Sequence, residues 1–367
     1  MLDAPRFVLI GGFLGAGKST TVGRLARSYT EQGKRVAIVT NDQTSDLVDT
    51  HSLRNQGFDV GEVAGACFCC SFNELTDAVE KLSVGERPDV IIAEPVGSCT
   101  DLVATVIRPL ASVYETPLSI APYGVILKPS HGKKILCGSG KGGFSPKAEY
   151  IFRKQIEEAD FVIVNRIDEL AAEEVDELCN EIENQYPGRP VIRMSAKTGQ
   201  GFAAFVEFLD QEGEFGQRVM EVDYDLYAEG EAELGWLNSQ LRLKADAEVD
   251  LDALLLYLVG RLQEVLAGQD CEIAHLKAIG MSDGNYAVAN SVSSFTEPVL
   301  SLASGCHATS AELVVNARVA VAPEELEKVV RQEIEAAFQK FSAEATVDTM
   351  QSFRPGRPVP THRIVEA

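Results

Sequence analysis

Four groups of residues in this chain have types and spacings that chemistry requires. The run Gly12-Phe-Leu-Gly-Ala-Gly-Lys-Ser-Thr20 fits G-x-x-x-x-G-K-[ST], the loop that cradles phosphates between a strand and a helix. Gly12, Gly15 and Gly17 free the backbone for conformations closed to residues with a Cβ. Successive N–H groups, those of Ala16 and Thr20 among them, can then turn toward phosphate oxygens. The helix that follows adds unpaired N–H donors and the positive end of its dipole. Lys18 is placed to reach the β- and γ-phosphates, and the Ser19 hydroxyl to ligate Mg2+. A glycine-rich turn with no ligand would not need Lys-Ser-Thr after it, so the expected ligand is a nucleoside triphosphate.

The second group is Val90-Ile-Ile-Ala-Glu-Pro-Val-Gly97. An acidic residue at the carboxyl end of a buried strand beside the phosphate-loop strand can reach the Mg2+ shell, and Gly97 lets a backbone N–H approach a γ-phosphate. Lys18 and Glu94 are therefore the catalytic candidates; the alternative for Glu94 is to cap a helix. The third group is Asn165-Arg-Ile-Asp168, with Ser195-Ala-Lys197 after the next strand. It looks like an N-K-x-D guanine motif with Arg166 in place of Lys. The Asp168 carboxylate would accept from the paired donors of guanine, which adenine lacks. The backbone of Ser195, Ala196 and Lys197 would meet the guanine O6. The Arg166 stem can lie along the base and its planar head can stack, but Arg does not replace Lys neutrally.

The fourth group is Cys67-Phe-Cys-Cys70, three thiols in four residues from eight cysteines in the chain. Adjacent cysteines do not easily bridge each other. A helix N-terminus just beyond favours thiolates, and three thiolates select soft or borderline ions, Zn2+ foremost. The alternatives are a redox site or packing cysteines. Weaker candidates are His51 and Asp46 after the second strand, Cys99 close behind Gly97, and the pair Cys306-His307.

These groups need elements to hold them. Apolar runs Arg6–Ile10, Arg35–Thr40, Asp89–Ala93, Leu118–Leu127, Phe161–Val164 and Pro190–Met194 read as strands, and helical patterns lie between most of them. Alternation over some 210 residues predicts an α/β fold with a mainly parallel sheet covered by helices on both faces. Ser71-Phe-Asn-Glu74 reads as a capping box, and Lys128–Gly143 has no assigned purpose. Gln211–Gln217 marks the end of a first domain, residues 1–215. Residues 221–345 read as a small α+β domain of strand, helix, three strands and helix, with a hairpin turn at Ser282-Asp-Gly-Asn285. Residues 346–367, rich in proline, read as a partly ordered tail.

The formal net charge of −22 argues against nucleic acid as a partner, because phosphate backbones need a basic surface. No apolar run approaches bilayer-spanning length, and the start Met1-Leu-Asp-Ala-Pro5 lacks a signal-peptide pattern. The expectation is a cytoplasmic protein without membrane partners, whose thiols stay reduced.

Taken in order, the phosphate loop, C-x-C-C, E-x-x-G, the N-K-x-D variant and the small C-terminal domain resemble the CobW-like metal-chaperone GTPases, relatives of the hydrogenase and urease nickel-insertion GTPases. The resemblance is close over residues 6–210 and coarse over 221–345. It implies slow GTP hydrolysis coupled to delivery of a transition metal from Cys67, Cys69 and Cys70 to a client metalloprotein. It also implies conformational change between GTP and GDP states, and a nucleotide-dependent homodimer is a further expectation. Three departures stand out: Arg166, the lack of a histidine-rich stretch, and Lys-Pro-Ser-His-Gly after Leu127, where relatives tend to carry an acidic residue. Two other readings are a small-molecule or nucleotide kinase, which would need an acceptor pocket with arginines, and a non-catalytic metal sensor that binds nucleotide.

Overall fold

The structure is a computed structural model that describes residues 4–42, 50, 53–54, 56–85, 87–138, 145–291, 293–294 and 296–366. Asp46 and His51 lie outside the described residues. The chain divides into two compact units, the first comprising residues 1–45, 57–230 and 357–367 and the second 46–56 and 231–356.

The first unit is built on a parallel sheet. Strand β1 (Arg6–Gly12) is flanked by β4 (Val90–Glu94) and β6 (Gly124–Leu127). With β2 (Val36–Asp42), β3 (Asp59–Ala64), β7 (Phe161–Val164) and β8 (Val191–Arg193), the order is β3-β2-β4-β1-β6-β7-β8, and every pairing is parallel. The two-residue β5 (Ser119–Ile120) pairs with the start of β1. Phe7, Val8, Leu9 and Ile10 are all buried, as are Val90 to Ala93. Strands buried on both faces lose the polar–apolar alternation, which is why they read as unbroken apolar runs. The register aligns Thr40 with Glu94 and Leu9 with Ala93. The carboxyl ends of β1, β2 and β4 therefore lie along one edge, where open α/β sheets bind their ligands.

Helices α1 (Lys18–Glu31), α2 (Phe72–Leu82), α5 (Pro146–Glu158), α6 (Ala172–Gln185) and α7 (Phe202–Leu209) connect the strands. The chain after Thr100 forms a π-helical turn, Val103–Ile107, that continues into α3 (Arg108–Ser112). Within the stretch left without a purpose, Pro129–Leu136 forms helix α4, with proline in its first turn. Residues 139–144 lie outside the described set. The capping box is a correction. Ser71 is the N-cap of α2 but makes no side-chain cap hydrogen bond. Its backbone N–H instead donates to the Cys67 carbonyl, so the turn that gathers the thiols sets its geometry.

The second unit is an antiparallel sheet with helices. Its strands are β9 (Gly235–Asp250), β10 (Ile273–Ser282), β11 (Asn285–Ser291), β12 (Val299–Leu302), β13 (His307–Val319) and β14 (Ala343–Phe353), in the order β12-β11-β10-β13-β9-β14. Helices α9 (Leu251–Gly268) and α10 (Pro323–Lys340) bury Leu254, Leu258, Leu262, Val330 and Phe338 in one core with the sheet; a short helix α8 (Tyr224–Glu231) lies at the junction in sequence. The hairpin turn forms as the residues demand: Asp283 and Gly284 both take positive φ, 48° and 76°, which a type I′ turn requires.

The C-terminal tail is the second correction. Residues 343–353 pair with β9 as an edge strand. Residues 357–366 belong to the first unit, where the Thr361 and Ile364 N–H groups donate to the carbonyls of Cys69 and Ala104. Prolines stop the edge strand from continuing, yet an extended chain can still lie along a neighbour by its remaining N–H groups.

Candidate nucleotide and metal site

The loop after β1 takes the shape its glycines permit. Gly12, Gly15 and Gly17 have φ of 133°, 71° and 95°. A Cβ on Gly12 would lie 2.3 Å from the Ile126 carbonyl oxygen, and one on Gly17 2.6 Å from the Asn165 amide nitrogen, so neither position admits a side chain. Lys18 is buried, and its ammonium donates to the Gly12 carbonyl at 2.9 Å. The Ser19 hydroxyl donates to Glu94 Oε1 at 2.8 Å, bringing the phosphate loop and the end of β4 together. A Cβ on Gly97 would stand 3.0 Å from Lys18 Nζ, so the turn after Glu94 lies against the lysine. Thr20 is exposed in the first turn of α1.

Asn165, at the end of β7, braces the other side. Its amide donates to the Ala16 carbonyl at 2.8 Å and its oxygen accepts from the Ala196 N–H at 2.9 Å. One buried side chain thus joins the phosphate loop to the Ser195–Lys197 segment. That segment turns on Ser195, whose hydroxyl accepts from the Thr198 N–H at 3.1 Å. Arg24 of α1 adds a second tie, donating to the carbonyls of Ala196 and Lys197 at 2.6 and 3.0 Å. Arg166 sits in the left-handed region, φ 62°, and its guanidinium pairs with Glu169 at 2.9 Å. Asp168 and Lys197 are exposed.

The thiols converge. Cys67 and Cys69 Sγ are 2.8 Å apart, Cys67 and Cys70 3.2 Å, and Cys69 and Cys70 3.7 Å. Asn41, at the end of β2, holds their loop: its amide donates to the carbonyls of Val63 and Ala66 at 2.9 and 2.8 Å, and its oxygen accepts from the Phe68 N–H at 2.8 Å. Phe68 is fully buried between the cysteines. Hydrogen bonding with its sulfur neighbours, Cys69 first, holds the Cys67 thiol well below its ordinary value. The hydrogen-bonded contact with Cys67 pushes Cys69 up, and Cys70 up to about 11. Three sulfurs this close form a donor set that a soft cation can complete. The last residues of the chain run past this loop: the Val359 N–H donates to Cys70 Sγ at 3.2 Å, and the Thr361 hydroxyl to the Cys70 carbonyl at 2.9 Å.

Asn41, Arg24 and the segment 359–363 carry no motif that sequence reasoning could have found. In the second unit Cys306 and His307 have local partners: the Cys306 carbonyl accepts from the Leu251 N–H, and the His307 imidazole lies 4.0 Å from Asp250.

The CobW/HypB/UreG nucleotide-binding domain matches residues 6–193, just over half of the chain. The chain belongs to that family. The urease accessory protein UreG of Metallosphaera sedula is 27% identical over 217 residues, 55% of this chain and 91% of UreG. The zinc chaperone CobW of a Sinorhizobium species is 25% identical over 223 residues, 54% of this chain and 60% of that relative. Among solved structures, the hydrogenase maturation factor HypB of Archaeoglobus fulgidus aligns at 19% identity and a TM-score of 0.40, over 56% of this chain and 88% of that one. Membership of the CobW/HypB/UreG family agrees with the strand order and with a nucleotide-binding first unit. Among the described residues no helix is long and apolar enough to cross a membrane.

Proposed function

We propose that this chain is a GTP-hydrolysing metal chaperone that carries a Zn2+-class ion on Cys67, Cys69 and Cys70 and passes it to a client metalloprotein. The observation that carries the reading is the convergence of three sulfurs within 4.8 Å of one another, on a loop held by Asn41. Asn41 ends the strand paired with that of Glu94. Family membership supports the nucleotide half, and the names of the UreG and CobW relatives support the metal half.

In this reading the backbone N–H groups from Gly15 to Thr20 hold the phosphates. Lys18 offsets charge that develops as water attacks the γ-phosphorus and the β–γ bridge breaks, leaving GDP and phosphate. The paired hydroxyl and carboxylate of Ser19 and Glu94 suit a hard cation, so Ser19 would ligate Mg2+ and Glu94 would hold its hydration shell. Bound there, Mg2+ would neutralise charge on the phosphate oxygens. Asp168 reads guanine from its exposed position beside the Asn165 brace, while Arg166 pairs with Glu169.

The test is metal content after purification without added metal, with GTP turnover measured on the same preparation. The reading predicts one thiol-bound ion per chain, lost in the Cys67→Ser, Cys69→Ser and Cys70→Ser variants, together with GTP hydrolysis that survives those changes. Unchanged metal content in the variants would contradict it.

A further inference from the structure

Of the three converging sulfurs, Cys67 and Cys69 are buried and Cys70 is only half-buried. The trio therefore opens on the Cys70 side, where an ion can enter or leave. Cys99 is buried too, but falls outside the group of sulfurs within 4.8 Å of one another. What lies against Cys70 is main chain from Val359, 289 positions on in sequence.

The residue types explain why this stretch presents one donor to the sulfur. Pro358 and Pro360 have no N–H, so Val359 carries the single main-chain donor of the three. That N–H donates to Cys70 Sγ at 3.2 Å, while the Val359 residue is 68% exposed. Thr361 donates its N–H to the Cys69 carbonyl at 2.8 Å and its hydroxyl to the Cys70 carbonyl at 2.9 Å. His362 sets its ring edge-on to Phe72, the first residue of α2, with centroids 5.1 Å apart. Beyond the thiol loop, Arg363 donates to the Asp101 carboxylate at 2.7 Å and to the Met220 carbonyl at 2.9 Å. The Ile364 N–H donates to the Ala104 carbonyl at 2.8 Å, and the Val365 carbonyl accepts from Arg108 at 2.9 Å. None of residues 359–365 is buried. The stretch is thus fastened by hydrogen bonds at both ends, with little hydrophobic burial to keep it down.

We propose that residues 359–365 form a strap over the metal site, in which the Val359 N–H supports the Cys70 thiolate and slows loss of the cation bound there. The inference rests on the metal-chaperone reading above. An N–H cannot coordinate a cation. It can donate to a ligand sulfur and stabilise the negative charge that the sulfur carries once the cation is bound. Supporting groups of this kind orient ligands and raise metal affinity. A client protein that lifts the strap removes that support and uncovers the half-buried thiol, so docking and release become one event.

The test is Zn2+ binding to the full chain, with affinity and dissociation rate read by a chromophoric chelator. Val359→Pro removes the N–H within a stretch that already holds two prolines, and Val359→Ala keeps the N–H but trims the exposed side chain. The first should lower Zn2+ affinity by roughly 10- to 100-fold, the usual cost of losing a group that supports a ligand, and speed dissociation. The second should change neither. Arg363→Gln, which unfastens the far end, should also speed dissociation. Equal affinities and rates in Val359→Pro and Val359→Ala would overturn the strap and leave the three-cysteine site standing. Absence of Zn2+ binding in the unmodified chain would overturn the metal reading, and the strap with it. One measurement needs no variant to fold. Amide hydrogen exchange across residues 359–364 should slow when Zn2+ is added, because a metal-bound thiolate is a stronger acceptor than a thiol. Exchange unchanged by bound Zn2+ would overturn the proposal.

Discussion

The Ser19 hydroxyl and the Glu94 carboxylate meet at 2.8 Å across the gap between the phosphate loop and the neighbouring strand. The two residues are 75 positions apart, and only the parallel pairing of β1 with β4 brings them together. Lys18 lies on the same side, donating to Gly12 and backed by Gly97. A catalytic role for the lysine predicts that Lys18→Ala cuts GTP turnover by about 100-fold or more. The variant should unfold at nearly the same temperature, since the change removes a charge that faces phosphate. Turnover at the unmodified rate would contradict the assignment.

Guanine selection makes a separate prediction. Asp168→Asn exchanges an acceptor-only carboxylate for an amide that presents a donor of its own. Loss of the charged hydrogen bonds should cost about 1.5–3 kcal/mol, roughly 10- to 150-fold in GTP affinity, while residual ATP binding changes little. Calorimetric titration of both nucleotides reads the difference. Equal affinities for GTP and ATP in the unmodified chain would remove Asp168 from this role.

Glu158 gives the protein a pH signature. Burial pushes its carboxyl well above the usual 4.5, with the nearby Asp101 adding to the effect. A carboxyl raised in the folded state contributes fully below the unfolded value, near 4.5, and its contribution is lost as pH rises through the raised native value. Stability should therefore decline from about pH 4.5 upward by more in the unmodified chain than in Glu158→Gln. Urea unfolding across that range measures both slopes, and equal slopes would show that Glu158 is not the group concerned.

The legible parts of this protein are those whose signal is contiguous. The phosphate loop is one run of residues whose glycines have a local reason to be there, and the strands buried on both faces are unbroken apolar runs. The thiol trio was visible because its three members share one turn. Its supports were not: Asn41 reaches Phe68 across 27 positions, Arg24 reaches Ala196 across 172, and Arg363 reaches Asp101 across 262. Side chains that brace distant backbone have no spacing rule. The strand Ala343–Phe353 escapes a sequence reading because its alternation begins on small alanines and breaks at the register shift between Val347 and Thr349, and prolines just beyond it read as a loose end. Ser71 has the residue type of a helix cap, but the turn that gathers the cysteines claims its backbone first.

The central claim is that nucleotide and metal sites are coupled. The thiol loop follows β3 and is held by Asn41 on β2, the strand paired with β4, whose turn after Glu94 backs Lys18. If the γ-phosphate moves that turn, metal affinity differs between GTP and GDP states, and by linkage the metal changes GTP affinity by the same factor. The direct measurement is a Zn2+ competition titration of the full chain, once with GDP and once with a non-hydrolysable GTP analogue. The account predicts affinities that differ by about 5- to 150-fold, the usual range of such coupling, with the difference lost in the Cys67→Ser variant. Identical Zn2+ affinities in the two nucleotide states would leave a metal-binding nucleotide hydrolase and contradict delivery by a nucleotide switch.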